Sequence, residues 1–578
     1  MTQQPPSAAS RLATIARGRY TFGVSDTGEP YALPLDGPRV VRMLRGGVGS
    51  LRAELAAVYL DQYGTPPPQQ ALADALTALE GIALTAPAKA LALRVAEHDS
   101  VLYLDLGDDT GEVVRIATDG WIIQAEAPVL FRRTALTAPL RRPIGGGDMS
   151  ELWSLLNAAE DDRPLVVAYL VAALMLNMPH PILSLTGEQG TGKSTAAKIL
   201  SSVTDPSTVQ LRKPPRDLDS WTTAAVGSHV VAVDNLSSLP DWLSDALCRA
   251  STGDGDVRRR LYTDGDLHVV SFRRVVILNG IDLGAIRDDL ADRLVTVELH
   301  RIDETHRELD TDLTERWSHA APIILGGLLD LTVQVLAILP DVHLERSPRM
   351  ADFARVLAAV DQVLNTKGVK RYSELAGELA GDAVAADPVL SVLAQVIKTE
   401  WKGAVVDLLH ELEAAIGDGR PPKGWPTGAR ALATLLRRRA PSLRRLGWAV
   451  EQTDERSERG TLWVITPPDK DLTKSDGPAS TEPSSVVRQA FRQASAPPLT
   501  CADTKTAQSP DGMTNSSPNL SVCLETREGA RGVPNEPSSR HFASDVPVDI
   551  DCQDCGEPLD PAVALSGVPY HPSCLEAS

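Results

Sequence analysis

The spacing of apolar residues changes character several times along the chain, and each change predicts a different kind of structure. Residues 11–87 carry helical spacing broken by Pro66-Pro67-Pro68. Residues 88–133 switch to short strand-like runs. Those at 101–106 and 112–117 flank Asp108-Asp109-Thr110-Gly111, which predicts a hairpin, and Asp119-Gly120 predicts a further turn before a strand at 121–124. A Gly- and Pro-rich loop at 141–148 precedes helical stretches at 150–159 and 165–178, which lead into an apolar strand at 181–186. From there to residue 300, short apolar runs alternate with helical stretches, the pattern of a mostly parallel sheet covered by helices. Residues 303–340 read as helix and 378–467 as a small α+β unit. Residues 466–546 are rich in Ser, Pro, Thr and Asp and poor in large apolar side chains. Such a segment cannot bury enough surface to offset chain entropy, so a disordered linker is expected.

Charge and composition narrow the function. The formal net charge is −19, so the chain as a whole repels a phosphate backbone, and any DNA contact must come from local basic patches. Residues 1–10 are polar and lack the apolar core of a signal peptide. Two apolar stretches, 164–185 and 320–339, contain Asn177, Pro179, His180 and Pro181, and Asp330 and Gln334, respectively. A bilayer penalises such residues, so both are expected to be buried helices, with no membrane contact and a cytoplasmic location.

Residues Gly187-Glu188-Gln189-Gly190-Thr191-Gly192-Lys193-Ser194 match the pattern G-x-x-x-x-G-K-[ST], with an apolar strand before and a helix-forming run at 196–202 after. Gly187, Gly190, Thr191, Gly192, Lys193, Ser194 and Thr195 are the expected nucleotide-binding residues. Backbone amides and a helix N-terminus would cradle the phosphates of ATP, Lys193 would reach the β- and γ-phosphates, and Ser194 would ligate Mg2+. The apolar run 229–233 ends in Asp234, a second Mg2+ ligand, followed by Asn235 where many such ATPases carry a water-activating Glu. The general base is therefore unassigned: Asn235 orients water, and Asp234 or another residue takes the proton. The run 274–278 ends in Asn279, suited to hold the attacking water or the γ-phosphate, or simply to cap the turn at Gly280. Arg293 or Arg287, beside Asp288, Asp289 and Asp292, either serves as an arginine finger to a neighbour's ATP or pairs with those aspartates.

The order phosphate loop, Asp234-Asn235, Asn279, Arg293 resembles superfamily 3 helicases, most closely the helicase part of phage, plasmid and mobile-element primase–helicases. Thr252-Gly253-Asp254-Gly255-Asp256 and Arg258-Arg259-Arg260-Leu261-Tyr262 resemble the block such proteins carry between the Asp and Asn strands. The resemblance covers residues 150–301. It implies an AAA-like ATPase core, a homo-oligomeric ring, usually a hexamer, with single-stranded or forked DNA through its centre, and an arginine finger acting across the subunit boundary. The segment 101–133, with Trp121, Phe131 and Arg132-Arg133, is similar to what precedes the ATPase in actinobacterial mobile-element proteins. Residues 257–262 and 267–272, joined by Thr263-Asp264-Gly265-Asp266, predict a β-hairpin with an acidic tip. In the family this hairpin grips DNA. Here Arg258, Arg259, Arg260 or His268 would do so, or the arginines would pair with Asp254, Asp256 and Asp266.

Two further units follow. A helix at 429–439, a second at 441–446 and strands at 448–453 and 461–465 predict a winged helix, whose Arg437, Arg438, Arg439, Arg444 and Arg445 either meet DNA phosphates or form a solvated basic face. Cys552-x-x-Cys555 and His571-x-x-Cys574, fifteen residues apart, have the spacing of a structural four-ligand Zn2+ site. Cys248, Cys501 and Cys523 stand alone, which fits a reducing compartment. Asp105, Asp108 and Asp109 are set aside as a primase-type metal site, because two of them sit in a turn and no matching His or carboxylate set accompanies them.

The expected fold class is α/β. The expected domains are an N-terminal α+β region (1–149), a P-loop ATPase core (150–302), a helical region (303–377), a winged-helix-like domain (378–467), a linker (468–548) and a zinc knuckle (549–578). The expected function is an ATP-dependent DNA helicase or translocase in replication of a phage or mobile element, with other replication proteins as partners. The alternative is a nucleotide-gated DNA-binding regulator that does not unwind.

Overall fold

Four short strands, Ile182–Thr186, Val230–Val233, Val275–Asn279 and Leu294–Glu298, are almost entirely apolar, and in the computed structural model they lie side by side. The structure describes residues 6–468 apart from 47–49, 260–266, 281–285, 304, 306, 346, 418–420 and 423. All three pairings in this sheet are parallel. Its order is Val230–Val233, Val275–Asn279, Ile182–Thr186, Leu294–Glu298. Parallel strands covered on both faces need apolar side chains on both, which is why Val230–Val233 and residues 275–278 are unbroken apolar runs. The helix Lys193–Thr204 follows the first strand, and Leu218–Val226 and Asp241–Thr252 flank the second.

The N-terminal third contributes a mixed four-stranded sheet, a short parallel pair and an antiparallel four-stranded sheet. Tyr20–Ser25 pairs with Pro30–Pro34 across a turn at Gly28, between the helix Ala8–Arg19 and the helices Leu51–Tyr63 and Gln69–Ala83. The hairpin expected at 101–117 forms as Val101–Asp105 and Val113–Ala117, extended on either side by Val95–His98 and Gly120–Gln124. This antiparallel sheet shares one apolar core with the helix Arg163–Ala173 and the four-stranded parallel sheet. Buried charges tie the two together: Arg94 donates from Nε to Asp205 (2.8 Å) and from its other nitrogens to the carbonyls of Asp105, Ala138 and Pro206. Asp105 receives two hydrogen bonds from Arg133, at 2.7 and 2.9 Å, so its carboxylate is a structural anchor.

The helix Asp310–Ile338 belongs to the one stretch, Asp310–Asp341, long and apolar enough among the described residues to cross a membrane by length and composition; half of that window is buried inside the fold. Its Asp330 accepts from Trp121 Nε1 (2.7 Å) and from the Gly146 amide (3.0 Å), which spends the charge on holding the neighbouring sheet and loop. The helices Ala351–Leu364 and Gly368–Ala386 follow.

Several expectations change. Residues 150–159 form no α-helix. They overlap the 3-10 segment Met149–Ser154, whose start is capped by Asp148, and Ala158 bridges to Leu299 at the sheet edge, so sheet pairing overrides helical spacing. The expected domain boundary at 377/378 falls inside the helix Gly368–Ala386. Residues 429–446 form a single helix, Ala429–Arg445, with Pro441 inside it. Pro441 removes one backbone donor, but Leu432, Leu436, Ala440 and Leu443 form one buried stripe that carries the helix past it. The two-stranded ribbon, Ala449–Ser457 and Gly460–Thr466, gains a third strand, Trp401–Ala404. The linker at 468–548 and the zinc residues Cys552, Cys555, His571 and Cys574 lie, apart from residue 468, outside the described residues.

Candidate nucleotide site

The phosphate-loop sequence joins the end of Ile182–Thr186 to the helix Lys193–Thr204. Gly187, Gly190 and Gly192 all take positive φ, at 137°, 85° and 80°, which lets the chain curl with little steric cost. Thr191 is buried and its hydroxyl donates to the Glu188 carbonyl (3.0 Å), bracing the turn from within. Lys193 folds back onto the same loop: its ammonium donates to the carbonyls of Gly187 (2.8 Å) and Glu188 (2.6 Å). Burial lowers the affinity of that amine for its proton. Thr195 follows at the start of the helix, half-buried.

Asp234 and Asn235 come to this loop from the end of the edge strand Val230–Val233. The Ser194 hydroxyl donates to Asp234 Oδ1 at 2.8 Å. Asn279 ends the strand that runs between the two, and it is buried. Its Oδ1 accepts from the Asn235 amide (2.7 Å), its carbonyl accepts from the Leu236 amide (2.9 Å), and its Nδ2 lies 3.5 Å from Ser194 Oγ. One buried amide therefore fixes the tip of the Asp strand against the serine of the loop. Asn235 takes the left-handed conformation, φ 55°, and its side chain is exposed beside Asp234. A hydroxyl and a carboxylate at hydrogen-bond distance, with an ammonium and a row of backbone amides beside them, form a donor set suited to a hard divalent cation and a polyphosphate.

The expected arginines lie elsewhere. Arg293 precedes the strand Leu294–Glu298, so it sits at the amino ends of the parallel strands while the loop sits at their carboxyl ends. It is buried, and its Nη1 donates to the Asp289 carbonyl (2.5 Å). Arg287 is partly exposed and pairs with Asp245 (2.8 Å), with Asp241 at 3.9 Å. Neither reaches the loop of its own chain.

The hairpin expected in the middle of the core is present as Asp254–Arg259 paired with Leu267–Phe272; its acidic tip lies outside the described residues. In the C-terminal unit, Arg430, Arg437, Arg438, Arg444 and Arg445 follow one another at helical spacing on the exposed side of Ala429–Arg445. Arg437 also stacks over Trp463 and donates to Gln452, and Arg445 pairs with Asp292. Sequence reading passed over Arg307, which lies against Gly190 although it belongs to an irregular segment with no motif.

Comparison with known proteins follows the same lines. Residues 149–382 match the model of the actinomycete integrative conjugative element replication protein, and residues 386–482 match the C-terminal domain of that protein. No curated protein matches the sequence. Among solved structures, the chain is similar to the apo C-terminal region of NrS-1, at 12% identity over 80% of this chain and 99% of that one, with a TM-score of 0.36. It is also similar to SCCmec type IV Cch, described as an active helicase, at 13% identity over 78% and 93% of the two chains, with a TM-score of 0.40. Over its phosphate-loop sheet and the helices that follow, and again over its C-terminal unit, the chain is thus similar to the replication protein of actinomycete integrative conjugative elements.

Proposed function

We propose that this protein is an ATP- and Mg2+-dependent DNA helicase or translocase serving replication of a mobile element. The observation that carries the reading is the 2.8 Å approach of Ser194 to Asp234 across two strand ends, with buried Asn279 fixing both. Mg2+ would be held by the Ser194 hydroxyl and the Asp234 carboxylate, and it would supply charge neutralisation at the β- and γ-phosphates. The amides of residues 187–195 cradle the phosphates. Lys193 exchanges the Gly187 and Glu188 carbonyls for phosphate oxygens, which its ammonium neutralises. Asn235, exposed at the strand tip, orients the attacking water, and Asn279 holds that tip in register.

The similarity of residues 149–382 to a replication protein supports DNA as the partner. The working assembly in this reading is a homo-oligomeric ring, a hexamer, threaded by single-stranded or forked DNA, with a neighbour's arginine completing each site. Arg287, being the more exposed, suits that role better than buried Arg293. The unit of Pro388–Val396, Trp401–Ala404, Val405–Ile416, Ala429–Arg445 and its final two strands has the element order of a winged helix, and its arginine face would meet DNA phosphates. Cys552, Cys555, His571 and Cys574 would hold a structural Zn2+.

The test is ATP turnover by the full chain with and without forked DNA. Stimulation by DNA that Lys193→Ala abolishes supports the reading; robust turnover that no DNA changes refutes it. Asn235 in place of an acid favours a second reading, a nucleotide-gated DNA-binding switch. Single-turnover hydrolysis separates the two, because a switch hydrolyses very slowly.

A further inference from the structure

Past the strand Leu294–Glu298 the chain brings Leu299, Ile302 and Arg307 against the phosphate loop. The Leu299 amide donates to the Thr186 carbonyl (2.9 Å), and the Leu299 carbonyl sits 2.5 Å from where a Cβ on Gly187 would be. Ile302 Cδ1 is 3.3 Å from the equivalent position at Gly192. Arg307 Nη2 is 3.0 Å from that position at Gly190. One segment thus touches the first, middle and last glycines of the loop and brings a guanidinium to the middle one. Arg307 is exposed and makes no ion pair or hydrogen bond among the described residues. The loop's other cation, Lys193, is turned onto the loop carbonyls, and Arg293 and Arg287 are engaged elsewhere.

We propose that Arg307 is a second catalytic cation of this site, acting in cis on the terminal phosphate of ATP. The proposal rests on reading the loop as an ATP site. A guanidinium presents a planar fork of donors that pairs with two non-bridging phosphate oxygens at once. When a water oxygen bonds to the γ-phosphorus, the bond to the bridging oxygen breaks, ADP leaves with that oxygen, the water's proton passes to the released phosphate and solvent, and negative charge rearranges over the oxygens beside Arg307. The arginine neutralises it without exchanging a proton. ADP lacks the group that Arg307 holds, so this residue tells the two nucleotides apart.

The experiment uses the full chain with Mg2+, fluorescently labelled ATP and ADP, and single-turnover hydrolysis. For Arg307→Ala, ATP affinity falls about tenfold with ADP affinity little changed, and hydrolysis slows about 100-fold. Arg307→Lys restores part of the affinity and little of the rate, because a point charge replaces the fork. Mixtures of Arg307→Ala and Lys193→Ala chains stay inactive, since both groups belong to one site. Recovery of activity in the mixture overturns the cis assignment. Equal loss of ATP and ADP binding, or no change in either, overturns the proposal while Lys193→Ala still abolishes nucleotide binding. Failure of the unaltered chain to bind either nucleotide overturns the ATP reading itself.

Discussion

The two ends of the parallel sheet treat most of their charged groups in opposite ways. At the amino ends, His180, His229 and Arg293 are buried, as are Asp205 and Arg94 beside them. Asp205 accepts from Arg94 and from the amides of His229 and Val230. Arg274 donates to the carbonyls of Ala225 and Arg273, and burial pulls its pKa down to about 10. At the carboxyl ends, Lys193, Ser194, Asp234 and Asn235 stay exposed or half-buried, and Ser194 meets Asp234. Groups paired inside the fold, as Asp205 is with Arg94, hold it together, whereas groups left open at strand ends can meet a ligand, the side on which open parallel sheets bind theirs. The contrast separates Asp205 from Asp234, two carboxylates in the same layer: the first is spent on structure and the second is available for chemistry.

Substitutions at the two ends should therefore fail in different assays. The largest effect is expected for Asp234→Asn, which should cut ATP hydrolysis by about 100- to 1,000-fold. Its melting temperature should stay near that of the unaltered chain; a large drop would move Asp234 into the structural class. Arg94→Ala should do the reverse. Breaking one partner out of a buried ion pair costs about 3–5 kcal/mol, read as a lower denaturation midpoint with turnover per folded molecule preserved. An unchanged midpoint would mean that the amino-end charges are not holding the fold.

Acidity should act through the histidines at the amino end. Burial, then the neighbouring His229, Arg273 and Arg274, hold His180 well below its ordinary pKa of 6.5, and burial also lowers His229. Below that value the unfolded chain takes up protons that the folded chain refuses, so stability is complete above the unfolded pKa and falls as pH drops through it. The melting temperature should decline from about pH 7 to about pH 5, and His180→Gln should flatten part of that slope. The smallest effect is expected on the arginine face of Ala429–Arg445. Arg438→Ala should weaken binding to DNA of any sequence and reduce the salt slope of log affinity by about one. An unchanged slope would assign Arg438 to a solvated surface.

The sequence made the phosphate loop and the strand tips legible because both are local: a glycine pattern between an apolar run and a helix, and apolar runs ending in Asp234 and Asn279. It also predicted the hairpin around Asp108 from its turn residues. It did not predict the hairpin Tyr20–Ser25 with Pro30–Pro34, although Asp26-Thr27-Gly28 is a turn signal, because helical spacing on either side masked two short strands. The 3-10 segment near Ser150 and the uninterrupted helix through Pro441 were decided by packing rather than propensity. Asn279 showed its strand-end position in sequence but not its part in clamping Asn235 to Ser194, which depends on strand order. Arg307 carried no signal, because an irregular segment takes its path from the sheet edge it leaves.

The central claim is that the serine after the loop lysine and the aspartate opposite it share one divalent cation. Turnover by Ser194→Cys, compared in Mg2+ and in Mn2+, tests it most directly. A thiol is a poor ligand for Mg2+ and a better one for a softer metal, so activity should fall about 100-fold in Mg2+ and recover about tenfold in Mn2+. Equal activity in both metals at the level of the unaltered chain would contradict a metal ligand at Ser194 and remove the basis for an ATP-hydrolysing site here.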